Sequence, residues 1–204
     1  MTRDVLDKLL ATCAAETLVD LRDAAVLLVA FASGGRRRSE VAGLRVEDLI
    51  EEPEVLADPA DATSRRLPCL AIRLIRTKTD AAEDDARALL IGRPVTALKL
   101  WLARAGIDQG PVFRAVDRWL GVSSKPLSPQ AVNQIVKRRC ALAGLDPTLF
   151  SAHGLRSGFL TEAARQGVPL PEAMAQSRHR SLTQAARYYN DAERQLGRAA
   201  RLAT

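Results

Sequence analysis

Both histidines and both tyrosines of this 204-residue chain lie in one stretch, 151-SAHGLRSGFLTEAARQGVPLPEAMAQSRHRSLTQAARYY-189. His153 and Arg156 stand three residues apart, so on a helix they share one face. The second histidine, His179, also has arginine neighbours, at positions 178 and 180. An ordinary exposed surface explains one such pair, but two histidines that each adjoin arginine weaken that interpretation. No carboxylate or cysteine stands at ligand spacing to them, so the pattern does not indicate a metal site.

The two adjacent tyrosines of this stretch differ in their helical neighbours. An apolar stripe at positions i, i+3, i+4 and i+7 consists of Leu182, Ala185, Ala186 and Tyr189. This stripe predicts that Tyr189 is packed in the core. Tyr188 aligns instead with Ser181 and Gln184, on the polar side of the same helix. We therefore expect the Tyr188 hydroxyl to be free to react.

A second basic segment, 33-SGGRRRSEVAGL-44, contains three consecutive arginines. Such a run is most often a solvated basic surface, and that interpretation stays open. If a helix runs over residues 36–43, however, Arg37 shares a stripe with Val41 and Leu44 and points toward the apolar side. The arginines on either side of it then point about 100° away in opposite directions.

An arginine that points inward needs an anionic partner, because an unpaired buried charge is costly. Glu40, one turn beyond Arg37, could hold the guanidinium in place. A phosphate that approached the same guanidinium would be bound in a fork geometry.

A predicted β-hairpin contains Lys78. Apolar residues at positions 70, 72 and 74 alternate with their neighbours and predict one strand, and 87-RALLIG-92 predicts the returning strand. Lys78 lies in the turn between them, in 75-IRTKTD-80. A lysine at a hairpin tip is usually only solvated, although a protonated amine delivered by a turn could donate a proton to a leaving oxygen.

The rest of the pattern is mostly helical. Helices are predicted over residues 3–15, 18–32, 94–105 and 129–143, and from His153 onward with a break at 167-GVPLP-171. Ser128 is the expected N-cap and Gly144 the stop signal of the fourth of these helices. The acidic segment 48–64, with two prolines, is expected to be a loop. The predicted fold class is therefore mainly α, with one small antiparallel hairpin, in a single domain.

Composition limits the class of protein. The net charge is +6 and the pI about 9.7, which permits a polyanionic partner without requiring one. The three cysteines are scattered and match no metal spacing, as is typical of reduced thiols in a cytosolic protein. The longest apolar run, residues 24–32, is too short to span a bilayer, and the first ten residues lack a signal-peptide core.

The order Arg, Lys, His-x-x-Arg, His and Tyr resembles the catalytic set of the tyrosine recombinases, the phage integrase family. Residues 32–49, ASGGRRRSEVAGLRVEDL, are similar to the first conserved box of that family. Its Ser-Glu pair, at positions 39 and 40, places the first family arginine at Arg37. The residue before that arginine is usually apolar in the family, whereas Arg36 stands here, so an assignment shifted by one residue stays open.

Further motifs extend the resemblance to roughly residues 2–194. The segment 75–80 is similar to the β-hairpin lysine segment of the family, and 151–189 is similar to the second box throughout. Each motif alone is weak, but together they occur in the order and spacing of the family.

The resemblance implies a tyrosine recombinase catalytic-domain fold and a metal- and ATP-independent DNA strand transferase without a cofactor. The implied catalytic residues are Arg37, Lys78, His153, Arg156, His179 and Tyr188. Tyr188 would attack a DNA phosphodiester and form a 3′-phosphotyrosyl intermediate. The two arginines would bind the non-bridging oxygens, and Glu40 would orient the first arginine. Lys78 would protonate the 5′-oxygen, His153 would assist proton transfer from the tyrosine, and His179 would bind the phosphate.

The resemblance also implies how the chain meets DNA. Expected contacts outside the cleaved phosphate are Arg36, Arg38, Asn133, Lys137, Arg138 and Arg180, although a solvated helix face is an equal alternative for the three residues from 133 to 138. The implied partner is double-stranded DNA, on which the chain forms a homo-tetramer, and no membrane is involved. Residues 1–204 are interpreted as the catalytic domain alone, without the N-terminal domain that clamps DNA, in the cytoplasm and at the nucleoid.

Two other functions stay open at this point. A type IB topoisomerase would use similar arginine, lysine and tyrosine chemistry but would relax DNA by strand rotation. A catalytically inert integrase relic would only occupy a DNA site. The two histidines at recombinase-like spacing argue against the first, and the filled catalytic positions argue against the second.

Overall fold

A computed structural model describes residues 1–14, 17–74, 87–179 and 181–196, with side chains up to residue 189. The helices are α1 (Arg3–Ala11), α2 (Leu18–Ala32), α3 (Arg38–Ala42), α4 (Arg93–Ala105), α5 (Pro129–Leu142), α6 (Ala152–Arg165), α7 (Leu170–Ser177) and α8 (Leu182–Leu196). The strands are β1 (Leu49–Leu56), β2 (Arg66–Arg73), β3 (Arg87–Ile91), β4 (Arg114–Val116) and β5 (Val122–Pro126). Short 3-10 helices lie at Val46–Asp48 and Pro147–Leu149.

Helix α2 lies at the centre of the fold, in contact with α1, α3, α4, α5, α6 and β3. Its sequence is apolar on most sides, as is typical of a helix buried all round. Val26, Leu27 and Val29 are almost fully buried, and each such side chain stabilises the fold by about 1.5–3 kcal/mol. The buried Trp101 of α4 packs in the same core and donates its indole N–H to the Val112 carbonyl at 2.8 Å.

The sheet has three antiparallel strands in the order β1-β2-β3. The β2–β3 pair confirms the predicted hairpin strands, while the intervening residues 75–86 lie outside the described residues. The prediction of a loop over 48–64 is wrong, because residues 49–56 form β1. Two acidic residues of β1 form ion pairs with neighbouring elements. Glu51 pairs with Lys99 at 2.7 Å, and Glu52 pairs with Arg87 at 3.3 Å. The proline of β1 lies at a register shift between positions 52 and 55, where a missing N–H is tolerated.

The helix predictions hold for most of the chain. The bounds of α2 are those expected, and α5 begins after Ser128, whose hydroxyl accepts the Ala131 N–H at 3.1 Å. Helix α1 is shorter than predicted and ends at Ala11. The second small hairpin, β4–β5, was not predicted from the sequence, since its strands are three and five residues long.

Helices α6, α7 and α8 form a separate packed layer at the C-terminal end. Tyr189 is buried there, and its hydroxyl donates to the Val168 carbonyl at 3.0 Å, as its place in the apolar stripe predicted. Ala185 is also fully buried. The prediction that Leu182 shares this core is wrong, since it is 62% exposed. It is the first residue of α8, and a periodic pattern does not show at which turn a helix enters the core.

A buried ion-pair network joins α2 to α5. Asp23 of α2 is fully buried and accepts from Arg22 at 2.8 Å, from Arg139 at 2.8 Å and from Arg138. Arg139 also bonds Asp20 at 2.7 Å. Because every charge has a partner of opposite sign, the network avoids the large cost of an unpaired buried ion.

Candidate active site

A two-glycine loop brings the arginine segment against α6 and α7. Gly34 and Gly35 have φ angles of +88° and +70°, which residues with side chains adopt with difficulty. A Cβ atom on Gly35 would lie 2.1 Å from the Cα of Arg156, and one on Gly34 would lie 2.3 Å from the Cα of Ser177. Only glycines therefore allow the loop this close to both helices.

Arg156 is buried on α6 and is held by backbone carbonyls. Its Nη1 donates to the carbonyl oxygens of Ser177 at 2.8 Å and Gly35 at 3.3 Å, and its Nη2 donates to that of Arg178 at 3.3 Å. Burial lowers the pKa of Arg156, the nearby Arg37 lowers it further, and the charges of Glu40 and Tyr188 raise it. Arg156 therefore lies within electrostatic range of three other predicted site residues.

The structure reverses the predicted orientations of the first two arginines. Arg36 is 7% exposed and donates to the carbonyls of Ser33 at 2.9 Å and Gln176 at 2.8 Å. Arg37, predicted to point inward, has a side chain that is 64% exposed. The helical stripe does not reach Arg37 because α3 begins at Arg38, and Arg37 itself has the extended angles φ −61° and ψ 146°.

This reversal has a consequence for each residue. Arg36, predicted to contact DNA, is buried with its guanidinium bonded to two carbonyls inside the protein, and its DNA contact stays a prediction. Arg37 faces outward, and its Nη1 donates to the Glu40 carboxylate at 2.9 Å while its backbone N–H donates to the same group at 3.1 Å. Glu40 thus makes the contact to Arg37 that the sequence suggested.

His179 follows the end of α7 and is neutral at pH 7. Its Nδ1 lies 2.7 Å from the hydroxyl oxygen of Ser177. Burial, followed by the charges of Arg156, Arg37, His153 and Arg36, lowers the pKa of His179 to about 4. The imidazole therefore has one N–H to donate. The positive charges around it favour the binding of an anion.

Tyr188 is half-buried on α8 and packs against the α6–α7–α8 layer. The charge of Tyr188 raises the pKa of Arg156. His153, at the start of α6, is exposed and contributes to the lowered pKa of His179. The structure thus brings together Arg37, Glu40, His153, Arg156, His179 and Tyr188.

A family model, described as the phage integrase family, matches residues 1–195. The chain belongs to the phage integrase family. It is 35% identical over 179 residues to the integrase/recombinase XerD homolog of Selenomonas ruminantium, covering 85% of this chain and 48% of that relative. It is 30% identical over 190 residues to tyrosine recombinase XerD of Xanthomonas axonopodis pv. citri (strain 306), covering 90% and 55%. The chain spans about half the length of these relatives.

Solved structures of recombinases share the fold. The XerH site-specific recombinase, in a post-cleavage complex with a palindromic difH substrate, superposes with a TM-score of 0.73 at 20% identity, over 99% of this chain and 52% of that one. The XerA recombinase superposes with a TM-score of 0.66 at 18% sequence identity, over 100% of this chain and 64% of that one. The predicted fold class and family resemblance are thereby confirmed.

The remaining predicted residues of this integrase-family chain have mixed outcomes. Lys78 and Arg180 lie outside the described residues, so their assignments stay predictions. Arg38 and Lys137 are exposed. Asn133 accepts the Ala152 N–H at 2.9 Å and so caps the start of α6, a role that the sequence did not suggest.

Arg138 forms an ion pair with Asp23, although the Arg138 side chain remains 48% exposed. Sequence reasoning also missed Ser177 and Gln176. For Ser177, the available signal was its position two residues before His179.

Within the described ranges, no helix is long and apolar enough to cross a membrane, and no group of three or more His, Cys, Asp or Glu side chains could hold a metal ion.

Proposed function

We propose that this chain is the catalytic domain of a tyrosine recombinase that cuts and rejoins DNA through a 3′-phosphotyrosyl intermediate. The observation that supports the proposal is that Arg156 donates to the carbonyls of Gly35 and Arg178 and so joins the segments that carry Arg37 and His179 to α6. The charges of Arg37 and Tyr188 also act on Arg156. A phosphodiester is the anion that such a site suits, because guanidinium groups bind phosphate oxygens in a bidentate geometry.

In the proposed cleavage step, the Tyr188 oxygen attacks phosphorus while the bond from phosphorus to the 5′-oxygen breaks. The phenolic proton leaves with the assistance of His153, and Lys78 supplies the proton that the departing 5′-hydroxyl gains. The phosphodiester energy is kept in the tyrosyl ester, so a 5′-hydroxyl from another strand can reverse the step without ATP.

The arginines stabilise the transition state. Arg37, held by Glu40, and Arg156, held by three carbonyls, present their N–H groups where charge develops on the non-bridging oxygens. Because these carbonyls and the carboxylate fix both guanidinium groups beforehand, little reorganisation is needed at the moment of reaction. The neutral His179 carries its single proton on Nε2 when the Ser177 hydroxyl donates to Nδ1, and this Nε2–H donates to the same phosphate.

DNA binding is proposed to extend beyond the cleaved phosphate through Arg38, Lys137 and Arg180. Backbone contacts of this kind make affinity strongly dependent on salt. The relatives are about twice as long as this chain, so we propose that residues 1–204 correspond to their catalytic part. For strand exchange we propose four such domains on two duplexes, with the protein acting at the nucleoid.

A nicked suicide DNA substrate tests the proposal, because loss of the short cleaved strand traps the covalent intermediate. Wild-type protein should form an adduct stable to denaturation, and peptide mass analysis should map it to Tyr188. Tyr188→Phe should form none, whereas the matched variant Tyr189→Phe should form it. Absence of an adduct with wild type, or an adduct with Tyr188→Phe, would overturn the proposal. Relaxation of plasmids lacking a specific site would indicate a type IB topoisomerase instead.

A further inference from the structure

The side chain of Gln176, near the end of α7, bridges two other segments. Its Nε2 donates to the carbonyls of Ala32 at 2.8 Å and Leu89 at 2.7 Å. Its Oε1 accepts the Leu89 backbone N–H at 3.4 Å. The amide therefore pairs with both polar groups of one residue of β3, as a neighbouring strand would, and β3 is an edge strand of the sheet.

The backbone of Gln176 is also engaged. Its carbonyl accepts a 2.8 Å hydrogen bond from Arg36, a residue 140 positions earlier. The approach depends on Gly34, where a Cβ atom would lie 2.4 Å from the same carbonyl oxygen. Gln176 thus links the end of α2, the two-glycine loop, β3 and α7.

Ser177 and His179, one and three residues after Gln176, belong to the candidate active site. The Ser177 carbonyl accepts from Arg156 at 2.8 Å, and its hydroxyl contacts His179. Ser177 is fully buried, so this turn has little freedom to adjust alone. A displacement of Gln176 would be passed directly to the groups that hold Arg156 and His179.

We propose that Gln176 is a positioning residue, whose side-chain amide fixes the turn carrying Ser177 and His179 relative to β3 and α2 and thereby sets the orientation of Arg156 and His179. The inference rests on the proposed function of the same site. It assigns no contact with DNA to Gln176, which acts through its neighbours.

Two variants remove the amide contacts in different ways. Gln176→Met keeps the length of the side chain and removes its donors and acceptor. Gln176→Glu keeps the shape but turns a carboxylate oxygen toward the Ala32 and Leu89 carbonyls. The matched control is Gln166→Met, since Gln166 is exposed and its side-chain amide donates to the Glu162 carboxylate, one turn earlier, at 3.1 Å.

The first measurement does not depend on catalysis. The chain has two histidines, so their imidazole signals can be followed by NMR and assigned with His153→Gln. The charged groups that face His179 are Arg156, Arg37, His153 and Arg36. In Gln176→Met, the pKa of His179 should rise by about 1 unit or more, because the imidazole leaves its buried, cationic surroundings. Gln166→Met should leave it unchanged.

The second measurement separates binding from cleavage. At saturating suicide substrate, single-turnover cleavage by Gln176→Met and Gln176→Glu should fall about 10- to 100-fold, as expected for misplaced catalytic groups. The Kd for DNA should change by less than about twofold. A merely structural role would lower the melting temperature without moving the His179 signal or separating cleavage from binding, and that result would overturn the inference.

A third measurement uses the wild type and so does not require either variant to fold. The side-chain NH₂ protons of Gln176 should exchange with water about tenfold or more slowly than those of Gln166. Equal rates would overturn the inference. If wild type forms no covalent adduct, the proposed function fails, while the two NMR measurements still decide whether Gln176 holds the turn.

Discussion

The hydroxyl oxygen of Ser177 lies 2.7 Å from the Nδ1 of His179, two residues further along the chain. This contact orients the imidazole, and when the hydroxyl is the donor, the ring carries its proton on Nε2. The ring is also neutral at pH 7, since burial and neighbouring cations lower the pKa of His179 to about 4. His179 is thus prepared as a neutral hydrogen-bond donor.

Stability should therefore depend on pH through His179. The pKa is about 4 in the folded protein and near 6.5 in the unfolded chain, so the unfolded state binds more protons between these values. The contribution of His179 to the unfolding free energy is fully present above about pH 6.5 and is lost as the pH falls toward 4. Urea titrations at pH 4.5, 5.5 and 7 should show this loss in wild type and in His153→Gln, but a weaker one in His179→Gln. If the unfolding free energy changed with pH to the same extent in all three proteins, the lowered pKa of His179 would be contradicted.

Gly35→Ala should destabilise the protein by about 2–5 kcal/mol, because the new methyl group would meet the Arg156 Cα and the φ of +70° is strained for alanine. Gly106→Ala is the matched control. Its φ is +63° with nothing within 4 Å of the added Cβ, so it should cost only about 1 kcal/mol. Equal losses in urea unfolding would show that backbone strain alone, and not the close approach to α6, limits residue 35.

Much of the fold could be predicted from local pattern. The bounds of α2 follow from its apolar run, and α5 is bounded by its Ser128 cap. The burial of Tyr189 and the greater exposure of Tyr188 were predicted from one helical stripe. The strand at residues 49–56 was missed because it is stabilised by pairing with β2. A local sequence pattern does not show which distant segment pairs with it.

The site shows the same division between local and distant information. The motif order predicted a set of site residues, but it could not show which of Arg36 and Arg37 points inward. That depends on the helix boundary at Arg38 and on a backbone carbonyl 140 residues away. The roles of Asn133 and Gln176 are missing from the sequence for the same reason, since each bonds the backbone of another element.

Asp23→Ala should lower the unfolding free energy by about 3–5 kcal/mol, because it leaves several arginines without their buried partner. Asp7→Ala, which removes exposed ion pairs with Arg3 and Arg93, should cost less than about 1 kcal/mol. Chemical denaturation of both variants tests the difference. A small loss in Asp23→Ala would mean that the arginines find other partners or water.

Lys137 and Asn133, on the same helix, should respond differently to truncation. Lys137→Ala should weaken DNA binding and reduce the slope of log K against log salt by about 1, with no change in stability. Asn133→Ala should lower the unfolding free energy by about 1 kcal/mol, because it uncaps α6. Binding at several salt concentrations and urea titrations distinguish the two, and an unchanged salt slope in Lys137→Ala would exclude its phosphate contact.

The cations around the candidate site repel one another when no anion is present. Burial and the charges of Arg156, Arg178 and Arg37 together lower the pKa of Arg36 to about 10, and Glu40 offsets only part of this. Replacing one of these arginines by a neutral residue would relieve repulsion in the free protein while weakening its hold on a phosphate. Selection for heat resistance would therefore tend to remove residues that we propose for strand cleavage, and a thermostable descendant of this chain should be checked for activity first.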